Sequence, residues 1–188
     1  IGLTDFIMPN SIVEIGDRAF WQCGKLHELK LSSNLKSIGL EGLYYCKGLE
    51  TIYFPSTLET LGAESCECWK NVKSIDCASK IPPVCIDSEL NPGWTPFGNY
   101  GGDFVNRTPQ DTPVYVPIGS ADLYRNAWGW NYFTNFIETD NFPSSGIDSA
   151  VIDGKEDNGD YYDLLGRKAE NPTSGNIYIC NGKKILIK

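Results

Sequence analysis

The sequence has a single histidine, His27, and a single methionine among its 188 residues. With only one imidazole, Ser/His/Asp and Cys/His catalytic arrangements and histidine-rich metal sites have few ways to form. Charged residues make up only 21%, and no apolar run approaches the roughly 18 residues that span a bilayer. These absences argue against an enzyme that uses histidine chemistry and against a membrane span.

The charge balance is acidic, with 16 Lys and Arg against 24 Asp and Glu and a formal net charge of −8. A polyanion would be repelled by such a surface, so nucleic acid is excluded as a partner. Hydrophobic residues make up 41%, and 19 Gly and 11 Pro accompany them. This composition is typical of an ordered chain with many turns.

No catalytic, cofactor-binding or metal-binding residue is assigned. No Asp or Glu lies in an apolar segment that would raise its pKa for acid/base catalysis. Cys66 and Cys68 lack a second pair at zinc-finger spacing. The acidic run Asp153–Asp160 has Lys155 and Asn158 where a calcium loop needs an oxygen ligand and a glycine, so we interpret it as a solvated linker.

A period of 23 residues organises the first half of the chain. Apolar residues recur at this spacing in several phases, and Gly16, Gly39 and Gly62 share another. Such a period indicates a solenoid, in which each unit buries its apolar edge against its neighbours. The apolar phases include Leu3, Leu26, Leu49 and Val72; Phe6, Leu29, Ile52 and Ile75; Met8, Leu31, Phe54 and Cys77; Ile12, Leu35, Leu58 and Ile81.

Each unit has a strand pattern, L-x-x-L-x-L, followed by a second short apolar alternation and a glycine that we expect to turn the chain. Alternation at Leu29 and Leu31 predicts that both side chains point inward. The next stretch, Asp17–Cys23 or Leu40–Cys46, is too short for a full helix. It predicts a helical turn that closes the coil.

The segment "IGDRAFWQCGKLHELKL" resembles the BspA-like bacterial surface type of leucine-rich repeat, with its Ile-Gly turn, its Ala-Phe pair and a Cys three residues later. The resemblance covers residues 3 to 82 and weakens in the third unit, where Cys23 is replaced by Trp69. It implies a right-handed, β-rich α/β solenoid. It also implies an extracellular or outer-surface location and a role in adhesion to host matrix or other cells.

The domain prediction is regular repeats over 1–82, a degenerate repeat over 83–138, a linker over 139–160 and a small β-module over 161–188. Within 83–138, "VYVP" matches a repeat strand and residues 82 to 112 form an insertion. Residues 119 to 127 predict a short helix beginning at Ser120. We expect an aromatic group to cap the open end of the stack: Trp128, Trp130, Tyr132 and Phe133.

The last residues predict a β-hairpin, since Asn181-Gly182 separates two alternating apolar segments. "YYDLLGRKAENP" predicts another hairpin. The tail resembles the short C-terminal β-module of many secreted and surface proteins of Gram-negative anaerobes. The matching residues are Asp163, Leu164, Gly166, Arg167 and Tyr178.

The seven cysteines are interpreted as buried thiols. Cys23 and Cys46 share one phase, while Cys66 and Cys77 occupy apolar phases, as small hydrophobic residues would. A disulfide and a metal site are the alternatives. Two short motifs, the sequon Asn106-Arg107-Thr108 and the triplet Asp148-Ser149-Ala150, resemble glycosylation sites and occur often by accident.

Several aromatic residues fall at phases that should face solvent. Trp21 and Tyr44 share a phase, Tyr45 follows, and Tyr53 lies in the outward column of the sheet. Trp and Tyr dominate contact hot spots and also stack on sugar rings, so these four are the candidate ligand-binding residues. The alternative is that they pack on neighbouring coils or on the cap.

The function predicted is a non-enzymatic, secreted or cell-surface interaction module that binds a protein ligand through the solenoid face. That ligand is expected in the host extracellular matrix or on another cell surface. A carbohydrate-binding accessory module is the first alternative, because an aromatic surface on an acidic chain suits neutral glycans. The second alternative is a structural spacer that holds a partner domain.

Overall fold

The computed structural model describes residues 2–89, 92–98, 105–142, 150–151, 161–162, 167–169, 177–180 and 183–186. The chain divides into two compact units, Ile1–Gly146 and Ile147–Lys188. In chain order, the first unit contains β1 (Asp5–Ile7), β2 (Glu14–Ile15), β3 (Glu28–Lys30), β4 (Ser37–Ile38), β5 (Thr51–Phe54), β6 (Thr60–Leu61), β7 (Ser74–Cys77), β8 (Val84–Cys85), β9 (Val114–Pro117), α1 (Ala121–Asn126), a 3₁₀ turn (Trp130–Tyr132) and β10 (Phe136–Thr139).

The strands of successive coils pair in parallel. β1 pairs with β3, and β5, β7, β9 and β10 form, in that order, a four-stranded sheet that we call the main sheet. A second sheet joins β2, β4, β6 and β8. The register follows the sequence period, with Ile52 opposite Ile75 and Ile38 opposite Leu61. The prediction of a β-rich solenoid with 23-residue spacing is therefore confirmed.

Most side chains at the apolar phases fill the core of this stack, whereas Leu3, Ile12 and Ile81 are exposed. Leu29 and Leu31 are 5% and 2% exposed, so both point inward as the alternation predicts. Adjacent coils place the same residue class at the same height, which keeps the core continuous. Its fully buried members include Leu26, Leu35, Ile38, Leu43, Leu49, Leu61, Cys66 and Ile75.

The third side of each coil is not the helical turn expected from the sequence. Arg18 and Gln22 have positive φ angles of 56° and 57°, and the chain there makes consecutive β-turns. Arg18 donates its backbone N–H to Leu40 O at 2.9 Å, and Phe20 donates to Gly42 O at 2.8 Å. A helix would use these donors within its own coil, whereas the turns give every second N–H to the next coil.

We call this series of coil-to-coil bonds the turn ladder. It repeats in the next two coils, where positive φ recurs at Glu41 and Tyr45 and at Glu64 and Cys68. The insertion continues it, since Glu64 N donates to Thr95 O and Cys66 N donates to Pro96 O. Successive coils are therefore joined by the strand pairs β1–β3 and β5–β7, by the second sheet of β2, β4, β6 and β8, and by the turn ladder.

The coil after the insertion rejoins the main sheet through β9. Ile75 lies opposite Val114, and β10 then adds in parallel to β9. Helix α1 lies between these two strands in sequence. Ser120 is its N-cap residue but makes no capping bond with its side chain, because its hydroxyl donates to Pro117 O. The Glu138 carboxylate accepts the Ala121 N–H instead, at 3.0 Å.

Two of the four aromatic residues expected to cap the stack lie inside the core. Trp130 is fully buried, with its ring centroid 4.7 Å from that of Phe97 and 4.9 Å from that of Tyr124. Phe133 is also buried, whereas Trp128 is 43% exposed. Among the described strands the main sheet ends in β10. An aromatic cap stays a prediction.

The second unit contains β11 (Ala150–Val151), β12 (Tyr161–Tyr162), β13 (Lys168–Ala169), β14 (Ile177–Cys180) and β15 (Lys183–Leu186). They form one sheet in the order β11-β15-β14-β12-β13. β14 and β15 are antiparallel, and so are β12 and β13. The turn predicted at Asn181-Gly182 lies outside the described residues. The sequence predicts a linker over 139–160, but Thr139 is the last residue of β10 and Ala150–Val151 form β11.

Candidate functional site

The four candidate ligand-binding residues lie on two different sides of the coils. Trp21, Tyr44 and Tyr45 belong to the turn ladder, whereas Tyr53 lies in β5 of the main sheet. They therefore do not form one site. The turn-ladder side holds an open groove of about 550 Å³, which we call the aromatic groove and which is lined by Arg18, Trp21, Glu41, Tyr44, Glu64 and Trp94.

The 23-residue period builds most of the aromatic groove. Arg18, Glu41 and Glu64 occupy the same positive-φ position in three successive coils, with φ of 56°, 51° and 53°. Trp21 and Tyr44 share another phase three residues later. Stacking the coils therefore produces a row of charged side chains beside a row of aromatic ones.

Trp94 enters the groove from the insertion. The carbonyls of Thr95 and Pro96 accept the Glu64 and Cys66 N–H groups, which fixes the segment beside the third coil. Any residue can offer a backbone carbonyl, and the insertion has no period. Trp94 was therefore not predicted from the sequence, because no repeat phase indicates that it lies on this surface.

An ion pair between adjacent coils crosses the groove. The Arg18 guanidinium donates from Nε to Glu41 Oε2 at 2.8 Å and from Nη2 to Glu41 Oε1 at 3.2 Å. The Glu41 carboxylate, through this bond and its charge, raises the pKa of Arg18, and the charges of Asp17 and Glu64 act in the same direction. One guanidinium thus lies among three carboxylates.

The aromatic walls differ in exposure. Trp21 is 46% exposed, an unusual amount for so large an apolar side chain. Tyr44 and Trp94 are half-buried. Burial raises the pKa of Tyr44, and the nearby charge of Glu67 contributes. Tyr44 therefore stays a neutral phenol at physiological pH, and its side chain hydrogen-bonds with Cys68.

Tyr45 joins the groove region to the insertion. Its hydroxyl accepts a hydrogen bond from Asn106 Nδ2 at 2.7 Å, and Lys47 Nζ lies 5.4 Å from its ring centroid. Its ring centroid is 5.7 Å from that of Tyr44. These contacts give Tyr45 a structural role, consistent with the packing alternative for this residue.

The sequon Asn106-Arg107-Thr108 is part of this packing. The Thr108 hydroxyl is fully buried, accepts the Trp69 backbone N–H at 3.1 Å and donates to Cys66 O at 3.2 Å. The Asn106 amide is engaged by Tyr45. These residues tie the insertion to the third coil, which argues against use of the sequon for a glycan.

Tyr53 lies in a separate row on the outer face of the main sheet. It pairs with Asp76, and Asp76 pairs with Tyr115. Burial raises the pKa of Asp76, so the expectation that no carboxyl group lies where its pKa would be raised is wrong for this residue. The Tyr53 ring centroid lies 6.5 Å from that of Phe142, at an interplanar angle of 56°. On this face the Asp76 carboxyl group therefore lies between Tyr53 and Tyr115.

The six cysteines outside β14 are in the thiol form, as the packing interpretation predicts. Five of them are buried, and Cys23 is partly exposed. Burial raises the pKa of Cys46 from an ordinary 9.0 to about 12, with nearby Cys23 adding to the shift, and burial raises that of Cys85 to about 12. These thiols are therefore poor nucleophiles at neutral pH.

The raised thiol pKa values predict that alkaline pH weakens the fold. In unfolded chains these thiols lose a proton near pH 9, while the folded chain holds it to about pH 12. The free energy of unfolding should therefore fall as pH rises between these values, by roughly 2–3 kcal/mol for each of the two thiols by pH 11. Urea unfolding from pH 7 to 11 measures this. A Cys46→Ala/Cys85→Ala double variant should lose less stability over that range, and an equal loss would contradict the assignment.

The part of the chain that the structure describes contains neither a candidate metal site nor a membrane-spanning helix. No group of three or more His, Cys, Asp or Glu side chains within it could hold a metal ion. No helix within those residues is long and apolar enough to cross a membrane. The acidic run Asp153–Asp160 and both Asp148 and Ser149 lie outside the described residues.

Residues 1–85 match, in six copies, the family model described as BspA type Leucine rich repeat region. The resemblance found in the sequence is confirmed over this range. Repeats of this type are typical of surface and adhesin-like protein-interaction modules, and a leucine-rich repeat solenoid is typically non-enzymatic. No curated protein matches the chain.

Proposed function

We propose that this chain, whose residues 1–85 form a BspA-type leucine-rich repeat region, is a non-enzymatic, adhesin-like interaction module of a secreted or outer-surface protein. It binds a protein ligand through the aromatic groove on the turn-ladder side of the solenoid. The proposed ligands are proteins of the host extracellular matrix or of another cell surface.

One observation carries this proposal: an exposed Trp21 lies with Tyr44 and Trp94 in one groove that also holds Arg18. Trp, Tyr and Arg are the residue types that dominate the binding energy of protein interfaces. In this groove, rows of side chains at repeated phases supply the contacts while the buried phases hold the fold. A solenoid can therefore vary its binding surface at constant architecture.

A second candidate function, carbohydrate binding, is favoured by the row of Tyr53, Asp76 and Tyr115 on the main sheet. Neighbouring strands are about 4.8 Å apart, so the two tyrosines lie about 10 Å apart along the row. Aromatic rings at that separation suit stacking on sugars, and a carboxyl group between them suits hydroxyls. The structural-spacer alternative predicts no binding on either face.

The test is binding of the whole chain to a panel of purified extracellular matrix proteins and to a glycan array. We expect binding to at least one matrix protein, weakened about tenfold or more in Trp21→Ala and in Tyr44→Ala, because truncating a hot-spot residue costs about 2 kcal/mol. Surface plasmon resonance with immobilised matrix proteins measures this.

Tyr53→Ala serves as the matched aromatic control, since Tyr53 lies outside the groove. It should leave matrix binding unchanged. Matrix binding that survives both groove variants would rule out the groove as the binding site. Glycan binding that is lost only in Tyr53→Ala would instead favour the carbohydrate module, and absence of binding to either panel would favour the spacer.

A further inference from the structure

The aromatic groove carries more negative than positive charge. Among the described residues that line it, Arg18 is the one cation, and its two hydrogen bonds there go to Glu41. Glu64 also lines the groove, and Asp17 acts on the same guanidinium. An anionic ligand would have to compete with Glu41 for Arg18, on a chain whose net charge is −8.

The aromatic walls favour the same sign of ligand as the carboxylates. A cation over the face of a Trp or Tyr ring gains about 0.5–1 kcal/mol at an exposed site. The chain provides one example nearby, where Lys47 Nζ lies 5.4 Å from the Tyr45 ring centroid. Trp21, Tyr44 and Trp94 offer such ring faces beside Glu41 and Glu64.

We infer that the aromatic groove binds lysine or arginine side chains of a basic segment in the partner protein. This inference rests on the proposed function and names the chemistry of the partner. The groove runs across successive coils, and an extended segment presents every second side chain on one face. A segment with basic residues at alternate positions therefore suits the groove.

The probe is a capped decapeptide of alternating lysine and glycine, titrated into the ¹⁵N-labelled whole chain. The reporters are the indole N–H signals of the five tryptophans, each assigned by its Trp→Phe variant. The Trp69 and Trp130 indoles are buried and donate to Leu43 O and Pro83 O, so they serve as internal references. Trp128 is exposed outside the groove and reports non-specific binding.

We expect the Trp21 and Trp94 signals to shift with peptide concentration while the signals of the other three tryptophans stay in place. Acetylation of every lysine in the peptide should abolish the shifts, because it removes the charge and leaves the backbone intact. An alternating glutamate and glycine peptide should cause no shift. Raising the ionic strength should weaken binding of the lysine peptide.

A matched pair of variants separates the groove from overall charge. Glu41→Gln removes one carboxylate and one cross-coil ion pair within the groove. Glu59→Gln makes the same change outside it, where Glu59 pairs with Lys36 at 3.1 Å. Glu41→Gln should weaken peptide binding about threefold to fivefold and Glu59→Gln less than about twofold, as expected for a cation at an exposed site.

The inference is overturned if the acetylated peptide shifts Trp21 and Trp94 as much as the lysine peptide does. Equal weakening by the two glutamate variants, binding of the glutamate peptide, or unmoved groove signals at millimolar lysine peptide would also overturn it. Should matrix binding depend on Trp21 while the lysine peptide leaves both groove signals in place, this inference fails and the proposed function stands.

Discussion

Replacing Gly62 by alanine should lower the free energy of unfolding by about 3 kcal/mol, at the upper end of what overpacking costs. A Cβ at this position would lie 2.6 Å from Gly39 C and 2.7 Å from Leu40 N. Both neighbours are backbone atoms of the preceding coil, so relief requires the coils to separate. Separation would strain the hydrogen bond that the Gly62 N–H donates to Ile38 O, in which nitrogen and oxygen are 2.7 Å apart.

Gly16 provides the control, because it occupies the same phase of the period in the first coil. A Cβ there would have nothing within 4 Å, and its φ lies outside the left-handed region. Gly16→Ala should therefore change stability by less than about 0.5 kcal/mol. Urea unfolding followed by circular dichroism compares the two variants. Equal effects would mean that the glycine phase serves the turn and not the close approach of coils.

These glycines illustrate what the sequence predicts and what it does not. The period predicts which residues share a phase, because the same offset places side chains at one height and strands in register. It therefore predicts the two sheets and the stacked core. The period does not show why glycine is required at this phase. We expected these glycines to turn the chain, but at Gly62 the requirement comes from close contact between neighbouring coils.

The turn ladder was not predictable from residue types. Left-handed backbone normally favours glycine or asparagine, yet Arg18, Gln22 and Glu41 adopt it here. Their conformation is imposed by hydrogen bonds to the next coil, which a single unit cannot make. A pattern confined to one unit therefore suggested a helical turn where stacking produces β-turns.

The candidate site was partly predictable for the same reason. Trp21 and Tyr44 share a phase, so the period indicates that they lie on one side of the stack. Tyr53 has an exposed phase too, but its phase belongs to the main sheet. Tyr45 is held by Asn106, which is 61 positions away, and no local pattern indicates that contact.

Trp69 marks the point where the repeat pattern is broken for a structural reason. Its phase holds Cys23 and Cys46 in the preceding coils. The Trp69 side chain is fully buried, its indole Nε1 donates to Leu43 O at 2.9 Å, and its ring centroid lies 6.5 Å from that of Phe54. Its backbone N–H donates to the Thr108 hydroxyl of the insertion. The larger side chain therefore fills the place where the insertion meets the regular coils.

Trp69→Cys restores the repeat pattern and should nevertheless destabilise the chain by about 4 kcal/mol. Loss of a buried indole leaves a cavity, which costs about 3–5 kcal/mol for Trp truncations. The Leu43 carbonyl also loses the indole donor and keeps only the longer bond from the Cys46 N–H, at 3.4 Å. Trp21→Cys makes the same chemical change at a half-exposed position and should cost less than about 1 kcal/mol. Urea unfolding of both variants gives the comparison. A cysteine suits this phase only where the neighbouring coil is regular. If Trp69→Cys leaves the free energy of unfolding unchanged, the third coil closes around the smaller side chain without its contacts to the insertion.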